Sequence, residues 1–352
     1  MELPVYRRLE DALHRGRVVP AASAHDGAST LIVGDDLPED AAAMVARTET
    51  GHCVFYHRPS GLCVVHRDLG HESLPLTCRH FPRLAVRDGR GTSISLTHYC
   101  PTAAAMLFQK VPIRIVADPA AFPPADYEGL VVDADAWPPL LKPTMLMDLA
   151  SYAAWEAHMV RRCAVDDSSP EDVIATLARD AVSLLDFDPA RESLLERVEG
   201  LSTASMSAAG PASLSGSLAH HAVAMRAVPD ELKPEPDEDG LEAAYARFVQ
   251  PVWREWSSPL KRYLAAKAFA NWTAYQGTGI LAIVCGLDAA LALVRVEAAR
   301  QCRDSGRALD EEQLCQAIRG ADFILNHLAV GEDLAEAWSS SEGQAAWIQS
   351  SV

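Results

Sequence analysis

Apolar residues recur at helical spacing in the second half of the chain. After Ser169, the positions Val173, Leu177 and Leu184 follow at intervals of four and seven residues, which places them on one face of an α-helix. Ser169 can cap the first turn, and Pro170 suits the first helical position because the missing N–H costs nothing there. The pattern predicts an amphipathic helix that begins at Ser169.

Three stronger helical patterns follow Leu241. The second runs from Ile280 to Arg303, and Asp288 interrupts its most hydrophobic stretch, so a buried helix is favoured over a bilayer span. The third opens at Asp310, where Gln313 completes a capping box. The first carries the apolar residues Leu260, Leu264, Phe269, Trp272 and Tyr275, and the third carries Ile318, Ala321, Leu325 and Leu328. We interpret Trp253, Trp256, Trp272 and Tyr275 as core residues, and His220 and His221 as surface residues.

The first 111 residues lack such long patterns. Short extended segments are predicted at Thr30–Val33 and Cys63–His66, among turn-forming glycines and prolines. Short helices are predicted at Tyr6–Val18 and from Pro101 to Phe108. We therefore predict a mainly α protein: a small, irregular, metal-stabilised cysteine-rich domain at 1–111, a proline-rich connector at 112–143 and an all-α domain at 144–340.

Charge is distributed unevenly along the chain. Residues 1–110 contain 12 Lys and Arg against 12 Asp and Glu, whereas residues 111–352 contain 19 against 36. An acidic body repels phosphates and anionic lipids, which argues against nucleic acid and membrane partners. A protein substrate or partner remains open, as does the oligomeric state. The start of the chain lacks the apolar run of a signal peptide, so we expect a cytoplasmic protein with reduced thiols.

Four cysteines dominate the candidate chemistry. Cys53, Cys63, Cys78 and Cys100 are separated by 9, 14 and 21 residues, and clustered thiols in a reducing compartment are typical of metal sites. They include no C-x-x-C pair, and the alternative is that they are small core residues. Cys163, Cys285, Cys302 and Cys315 fall in helical patterns, where we assign them to the core.

The residues around the four cysteines are rich in positive charge. Six arginines but only three acidic residues lie between Cys53 and Cys100. Nearby cations lower the pKa of a thiol and so favour the thiolate that binds a metal. We expect Arg79, Phe81 and Arg83 to surround the ligands.

Histidines near the cysteines are weaker ligand candidates. His66 follows Cys63 by three residues, and His80 follows Cys78 by two. Both could contact a metal group, although a role as a hydrogen-bond donor beside the ligands, or an exposed position, is favoured.

Several short motifs together resemble the YkgJ-type cysteine-cluster family, which includes proteins similar to flagellin lysine N-methylase. They are Gly51-His52-Cys53, Gly61-Leu62-Cys63-Val64-Val65-His66, Leu74–Arg83 and His98-Tyr99-Cys100-Pro101. The close resemblance covers Gly51–Pro101, with a looser likeness at Tyr263–Tyr275 and Asp322–His327. Family members usually carry a further cysteine-rich segment that ends in a Cys-Cys pair, and no cysteine precedes Cys53 here.

The resemblance implies a zinc- or iron-chelating site. Four thiolates suffice for one [4Fe–4S] cluster or one tetrahedral zinc, and the iron–sulfur cluster is favoured. The resemblance also implies a role in protein lysine N-methylation or a related modification, and hence S-adenosylmethionine as a cofactor. The sequence itself shows no glycine-rich methyltransferase loop and no C-x-x-x-C-x-x-C motif, so whether the protein is an enzyme stays open. Alternatives are a structural-zinc protein whose acidic helical domain binds a partner, and a redox-sensing or cluster-transfer protein.

Overall fold

The computed structural model describes residues 1–34, 37, 41–118, 129–131, 139–202, 204, 207, 214–233 and 237–340. The chain forms two compact units. The described residues up to Phe81 belong to the first unit, and those from Pro82 onward belong to the second. Residues 82–111, which composition groups with the cysteine-rich domain, thus belong to the second unit. The physical reason is that Val86 and Leu107 are buried in the core of that unit.

The first unit is assembled from short elements. Its core consists of ten buried apolar residues within the described part of the chain, among them Leu9, Val54 and Phe55. Two antiparallel strand pairs, β1 with β2 and β3 with β4, lie between its helices. In chain order the elements are α1 (Leu3–His14), β1 (Leu31–Ile32), β2 (Met44–Val45), β3 (Tyr56–His57), β4 (Leu62–Cys63), α2 (Val64–Leu69) and α3 (Leu76–His80), with short 3₁₀ turns at His25–Gly27 and His71–Ser73.

Two predicted elements in this unit have different bounds. The helix predicted at Tyr6–Val18 is α1 (Leu3–His14), and it ends before Gly16, whose φ of 67° is left-handed. The predicted extended segment Cys63–His66 was wrong beyond Cys63, because the chain turns into α2 there. A short apolar run does not by itself distinguish a strand from a buried helix, and here Val64 and Val65 bury their side chains from the helix.

The second unit opens with a hairpin that the sequence analysis missed. Strand β5 (Arg83–Asp88) pairs with the antiparallel strand β6 (Gly91–Leu96), and the register runs from Arg83 opposite Leu96 to Asp88 opposite Gly91. The Asp88 carboxylate accepts a 2.8 Å hydrogen bond from the Arg90 backbone N–H, which closes the turn. A short parallel strand, β7 (Gly129–Val131), joins the other edge of β5.

Helices build the remainder of the second unit. In chain order the further elements are α4 (Pro101–Met106), β8 (Leu140–Lys142), β9 (Met145–Leu146), α5 (Leu149–Cys163), α6 (Pro170–Leu184), α7 (Leu194–Glu199), α8 (Leu214–Arg226), α9 (Leu241–Ala244), α10 (Ser257–Ala268), α11 (Ile280–Ser305), α12 (Glu311–Phe323) and α13 (Gly331–Ser339). The central helix is α11, which packs against α6, α8, α10, α12 and α13. Shorter 3₁₀ turns cover Asp230–Leu232, Gln250–Trp256 and Trp272–Tyr275, and π-helical turns cover Tyr245–Val249 and Ile324–Leu328.

The predicted caps are confirmed. Ser169 and Asp172 form a reciprocal capping box at the start of α6, and Asp310 and Gln313 form another at the start of α12. The helix predicted through Tyr275 instead ends at Ala268. It ends because Phe269 is extended, with a ψ of 138°, and the left-handed φ of 53° at Ala270 prevents the right-handed helix from resuming there.

The mainly α class is confirmed. Cys163, Cys285 and Cys302 are buried and Cys315 is half-buried, in agreement with a core assignment. Among the described helices, none combines the length and the hydrophobicity that a membrane crossing requires. That a metal stabilises the cysteine-rich region stays a prediction.

Candidate functional site

The four predicted ligands are divided between the two units. Cys53, Cys63 and Cys78 belong to the first unit and Cys100 to the second. Cys53 and Cys78 are exposed, and the other two are half-buried. Within the described ranges, no three His, Cys, Asp or Glu side chains are placed to hold one metal ion.

The structure brings two of these thiols together. Tyr56 of β3 lies opposite Cys63 of β4, and the Tyr56 N–H donates to the Cys53 carbonyl over 2.9 Å. The thiols of Cys53 and Cys63 are consequently close enough to influence each other electrostatically. A pair of thiols is half of the ligand set that a tetrahedral zinc or a [4Fe–4S] cluster needs.

The ionisation of Cys53 is opposed by its surroundings. Although the residue as a whole is exposed, the atoms packed around the Cys53 thiol partly remove it from water and so raise its pKa, and the charge of Cys63 raises it further. Backbone N–H donors from Phe55 and Tyr56 and the charge of Arg47 act in the opposite direction. Without a metal the neutral thiol is favoured, so metal binding here would release a proton.

A hollow of about 500 Å³ lies beside Cys53 within the first unit. His25, Asp26 and His52 line it together with Tyr56. The imidazole of His25 lies 3.2 Å from the carboxylate of Asp26. Polar groups of this kind can orient a bound group through hydrogen bonds.

The residues expected around the ligands are spread over several elements. His66 is exposed on α2, where its ring contacts that of His71, and His80 is buried on α3. Arg79 forms a 3.4 Å ion pair with Glu72. Phe81 is exposed, and Arg83 opens β5 in the second unit.

A buried acid in the second unit organises the segment that precedes Cys100. The Asp322 carboxylate on α12 is fully buried, and it accepts a 2.5 Å hydrogen bond from the His98 backbone N–H and a 2.8 Å bond from the Tyr263 hydroxyl. The Lys267 ammonium lies 2.5 Å from the same carboxylate. Burial alone would raise the pKa of Asp322, but Lys267 and His98 outweigh burial and hold that pKa far below its usual value.

Further contacts hold this segment against α12 and the π-helical turn. The Arg319 guanidinium donates to the Tyr99 carbonyl over 3.0 Å, and the Tyr99 ring lies 4.9 Å from that of Phe323. Cys100 follows directly as the residue that precedes the first turn of α4. The second unit therefore fixes the backbone before Cys100 through charged and aromatic contacts.

Sequence reasoning did not identify Asp322 as part of a network. A signal was present, since Asp322 follows Ile318 by four residues and precedes Leu325 by three, which places an acid beside the apolar stripe of the third predicted helix. An acid in that position needs a cationic or N–H partner in the core. The sequence could not name Lys267 or His98 as those partners.

A second buried network lies at the hairpin. The Arg90 guanidinium donates to Asp88 and, over 3.1 Å, to Glu156. Tyr275 donates to Asp88 in a short hydrogen bond, and Glu156 accepts a 3.0 Å bond from the Ala270 N–H. Burial opposes the charge on Asp88, but bonds from Arg90 and Tyr275 hold its pKa below the usual value. The network ties the hairpin turn to α5 and to the left-handed residue Ala270.

A cavity of about 480 Å³ lies within the second unit. Its walls come from β5, β6, α10, α11 and α13, and from the turns Trp272–Tyr275 and Ile324–Leu328. The rings of Trp272 and Trp338 line it, and they pack closely on Gly331 and Gly286 respectively. A Cβ at Gly286 would lie 2.9 Å from the Trp338 ring, so glycine is what allows this approach. Trp272, interpreted from sequence as a core residue, is thus half-buried at a cavity wall.

Comparison with known proteins adds no assignment: no family model, no curated protein and no solved structure matches the chain.

Proposed function

We propose that this protein binds a metal through its cysteine cluster, and that the group is an iron–sulfur cluster rather than zinc. Cys53, Cys63 and Cys78 are the proposed ligands in the first unit, and the sequence prediction adds Cys100. The observation that carries the proposal is the proximity of the Cys53 and Cys63 thiols at the β3–β4 hairpin. Neighbouring thiols that carry no disulfide are a common start of a metal site.

Two further observations support the proposal. The hollow beside Cys53 offers space for a group larger than one ion. The core of the first unit is small, and units with little core commonly gain stability from a metal. The resemblance to the YkgJ-type family adds independent support.

The resemblance also leads us to propose a biochemical role, protein lysine N-methylation or a related modification with S-adenosylmethionine as methyl donor. This role follows from the motifs at Gly51–Pro101. In the metal proposal, the role of the protein's own residues is to bind the metal group and to determine its chemical surroundings.

The test is anaerobic purification followed by an absorption spectrum and by iron, sulfide and zinc analysis. We expect a brown protein that contains iron and sulfide in equal amounts. Cys53→Ser, Cys63→Ser and Cys78→Ser should each lose most of the colour and the iron. Cys315→Ser is the matched control, because Cys315 lies half-buried on α12, and it should keep both.

Other outcomes decide between the alternatives. A colourless protein with stoichiometric zinc, lost in the same three variants, would replace the cluster by structural zinc. Wild-type protein that contains no metal would overturn the proposal. Retention of the metal in the three cysteine variants would also overturn it. Full metal content in Cys100→Ser would remove Cys100 from the ligand set.

A further inference from the structure

We propose that the cavity of the second unit is a binding site for a small aromatic monoanion, whose carboxylate is held by Lys267 and whose ring packs against Trp272 and Trp338. This proposal is independent of the metal site, because the whole cavity is lined by residues beyond Pro82. It assigns a ligand class to a part of the molecule for which the sequence motifs predict none.

The size and composition of the cavity suit a small organic molecule. Its volume of about 480 Å³ falls in the range of roughly 300–1,000 Å³ that is typical of ligand pockets. Aliphatic side chains such as Leu84, Leu287 and Leu325 form much of the wall. With the two tryptophan rings they offer an apolar surface on which a planar ring can pack.

The charged side chain in the cavity wall indicates which charge a ligand should carry. Lys267 is the one charged residue among those that line the cavity in the described structure. An ammonium has three N–H donors, and one of them is directed to Asp322. In the part of the chain that the structure describes, Lys267 makes no hydrogen bond or ion pair to any other acceptor. The remaining donors are therefore available to an anion.

Asp322 does not compete for those donors. Its carboxylate is already satisfied by the His98 N–H and the Tyr263 hydroxyl in addition to Lys267. It is fully buried and does not belong to the cavity lining. Asp322 thus anchors the ammonium of Lys267, and Lys267 is the member of this pair that lines the cavity.

Neutral polar side chains complete the recognition surface. Asn271, Gln276 and Asn326 also line the cavity. Three amides and one ammonium in a largely apolar wall match a ligand with a single polar end. A polyanion such as a nucleotide would place several charges against this wall with only one cation to receive them.

The backbone at the cavity is held in an unusual conformation. Ala270 lines the cavity at a φ of 53°, a left-handed conformation that is unfavourable for a non-glycine residue. The buried Glu156 accepts the Ala270 N–H, and Arg90 holds Glu156. Strained residues that buried networks support are common at ligand sites. The π-helical turn Ile324–Leu328, which contributes Leu325 and Asn326, is a second such feature.

Calorimetric titration of the full chain with 3-phenylpropanoate tests the proposal. The neutral control ligand is 3-phenylpropanamide, which keeps the ring and the shape and removes the charge. We expect saturable binding of the acid at one site and at least tenfold weaker binding of the amide. Equal affinity for both ligands, or no saturable binding of the acid, would overturn the proposal.

Two variants locate the site. Lys267→Gln should weaken binding of the acid at least tenfold, whereas Lys142→Gln should not, because Lys142 donates to the Leu185 carbonyl and lies outside the cavity lining. Since Lys267→Gln also removes the partner of Asp322 and can impair folding, Ala329→Leu is the second test. It fills the cavity without altering any charge and should abolish binding of both ligands. Unchanged affinity in Ala329→Leu would place the bound ligand elsewhere and overturn the assignment.

Discussion

Both units have exposed ion pairs, but among the described residues the strongly buried ones belong to the second unit. In the first unit, pairs such as Arg15 with Asp11 are exposed. In the second, Asp322 and Lys267, and Arg90 with Asp88 and Glu156, are largely buried. Exposed pairs contribute little to stability, whereas a buried charge that loses its partner is strongly destabilising.

The two units also differ in the size of their hydrophobic cores. The first unit buries ten apolar residues, whereas more than fifty form the core of the second, counted over the described chain. The burial of so many apolar residues can offset the free energy that is lost when charges are buried, and a small core cannot offset it. The difference indicates that the second unit can hold buried charged groups by itself, and it is one reason why we propose a metal as an added constraint for the first unit.

Tryptophan fluorescence separates the two units experimentally. All seven tryptophans lie between residues 137 and 347, and residues 1–81 contain none. Unfolding followed by this signal therefore reports on the second unit. In the three predictions below, this signal follows the variants of the second unit, and circular dichroism follows the comparison variants of the first unit.

The largest effect is expected from the buried acid. Asp322→Asn removes the charge that Lys267 pairs with and should lower the free energy of unfolding by about 3–5 kcal/mol. Denaturant unfolding monitored by tryptophan fluorescence measures it. Asp11→Asn, at the exposed pair of the first unit, should produce no measurable change in stability by circular dichroism. Similar effects of the two variants would remove the contrast between the units.

The second prediction concerns the pH dependence of stability. His221 on α8, which the sequence analysis wrongly interpreted as a surface residue, is buried beside Arg300, and burial lowers its pKa from 6.5 to about 4. Between these values the unfolded state binds more protons than the folded state, so the free energy of unfolding must fall as the pH falls from 6.5 to about 4. The shift corresponds to a loss of about 3 kcal/mol, complete below the folded pKa.

Replacement of the imidazole measures this contribution. His221→Gln should flatten the fall in unfolding free energy across that window, because the variant cannot take up the proton. The exposed His14 in α1 of the first unit is the matched control, and His14→Gln should leave the profile unchanged. Identical pH profiles for wild type and His221→Gln would contradict the prediction.

The smallest effect is expected at left-handed backbone positions. Each unit has one described non-glycine residue of this kind, Asp26 at φ 51° and Ala270 at φ 53°. Asp tolerates this conformation better than Ala. Ala270→Gly should therefore stabilise the second unit by about 0.5–1 kcal/mol, after allowance for the greater flexibility of unfolded glycine. Asp26→Gly should bring no gain, and a lower melting temperature for Ala270→Gly would contradict the prediction.

Local sequence by itself determined much of the helical architecture. The capping boxes at Ser169 and Asp310 are formed by residues three positions apart, so their chemistry is readable from the chain. The apolar run that became α11 and the core positions of Cys163, Cys285 and Cys302 were predictable for the same reason. The sequence also singled out Cys53 and Cys63 as neighbours in a predicted site, through motifs that resemble a known family.

Only the tertiary structure decided which distant groups meet. Asp322 contacts His98, 224 residues away, and Arg90 contacts Glu156, 66 residues away. The hydrophobic periodicity of the sequence does not identify such pairs. A charged residue at a buried position indicates only that some partner must be present. The cavity belongs to the same category, since helix packing alone brings Lys267, Trp272 and Trp338 to one space. The division at Pro82 was likewise set by where Val86 and Leu107 bury their side chains, and composition along the chain does not encode that choice.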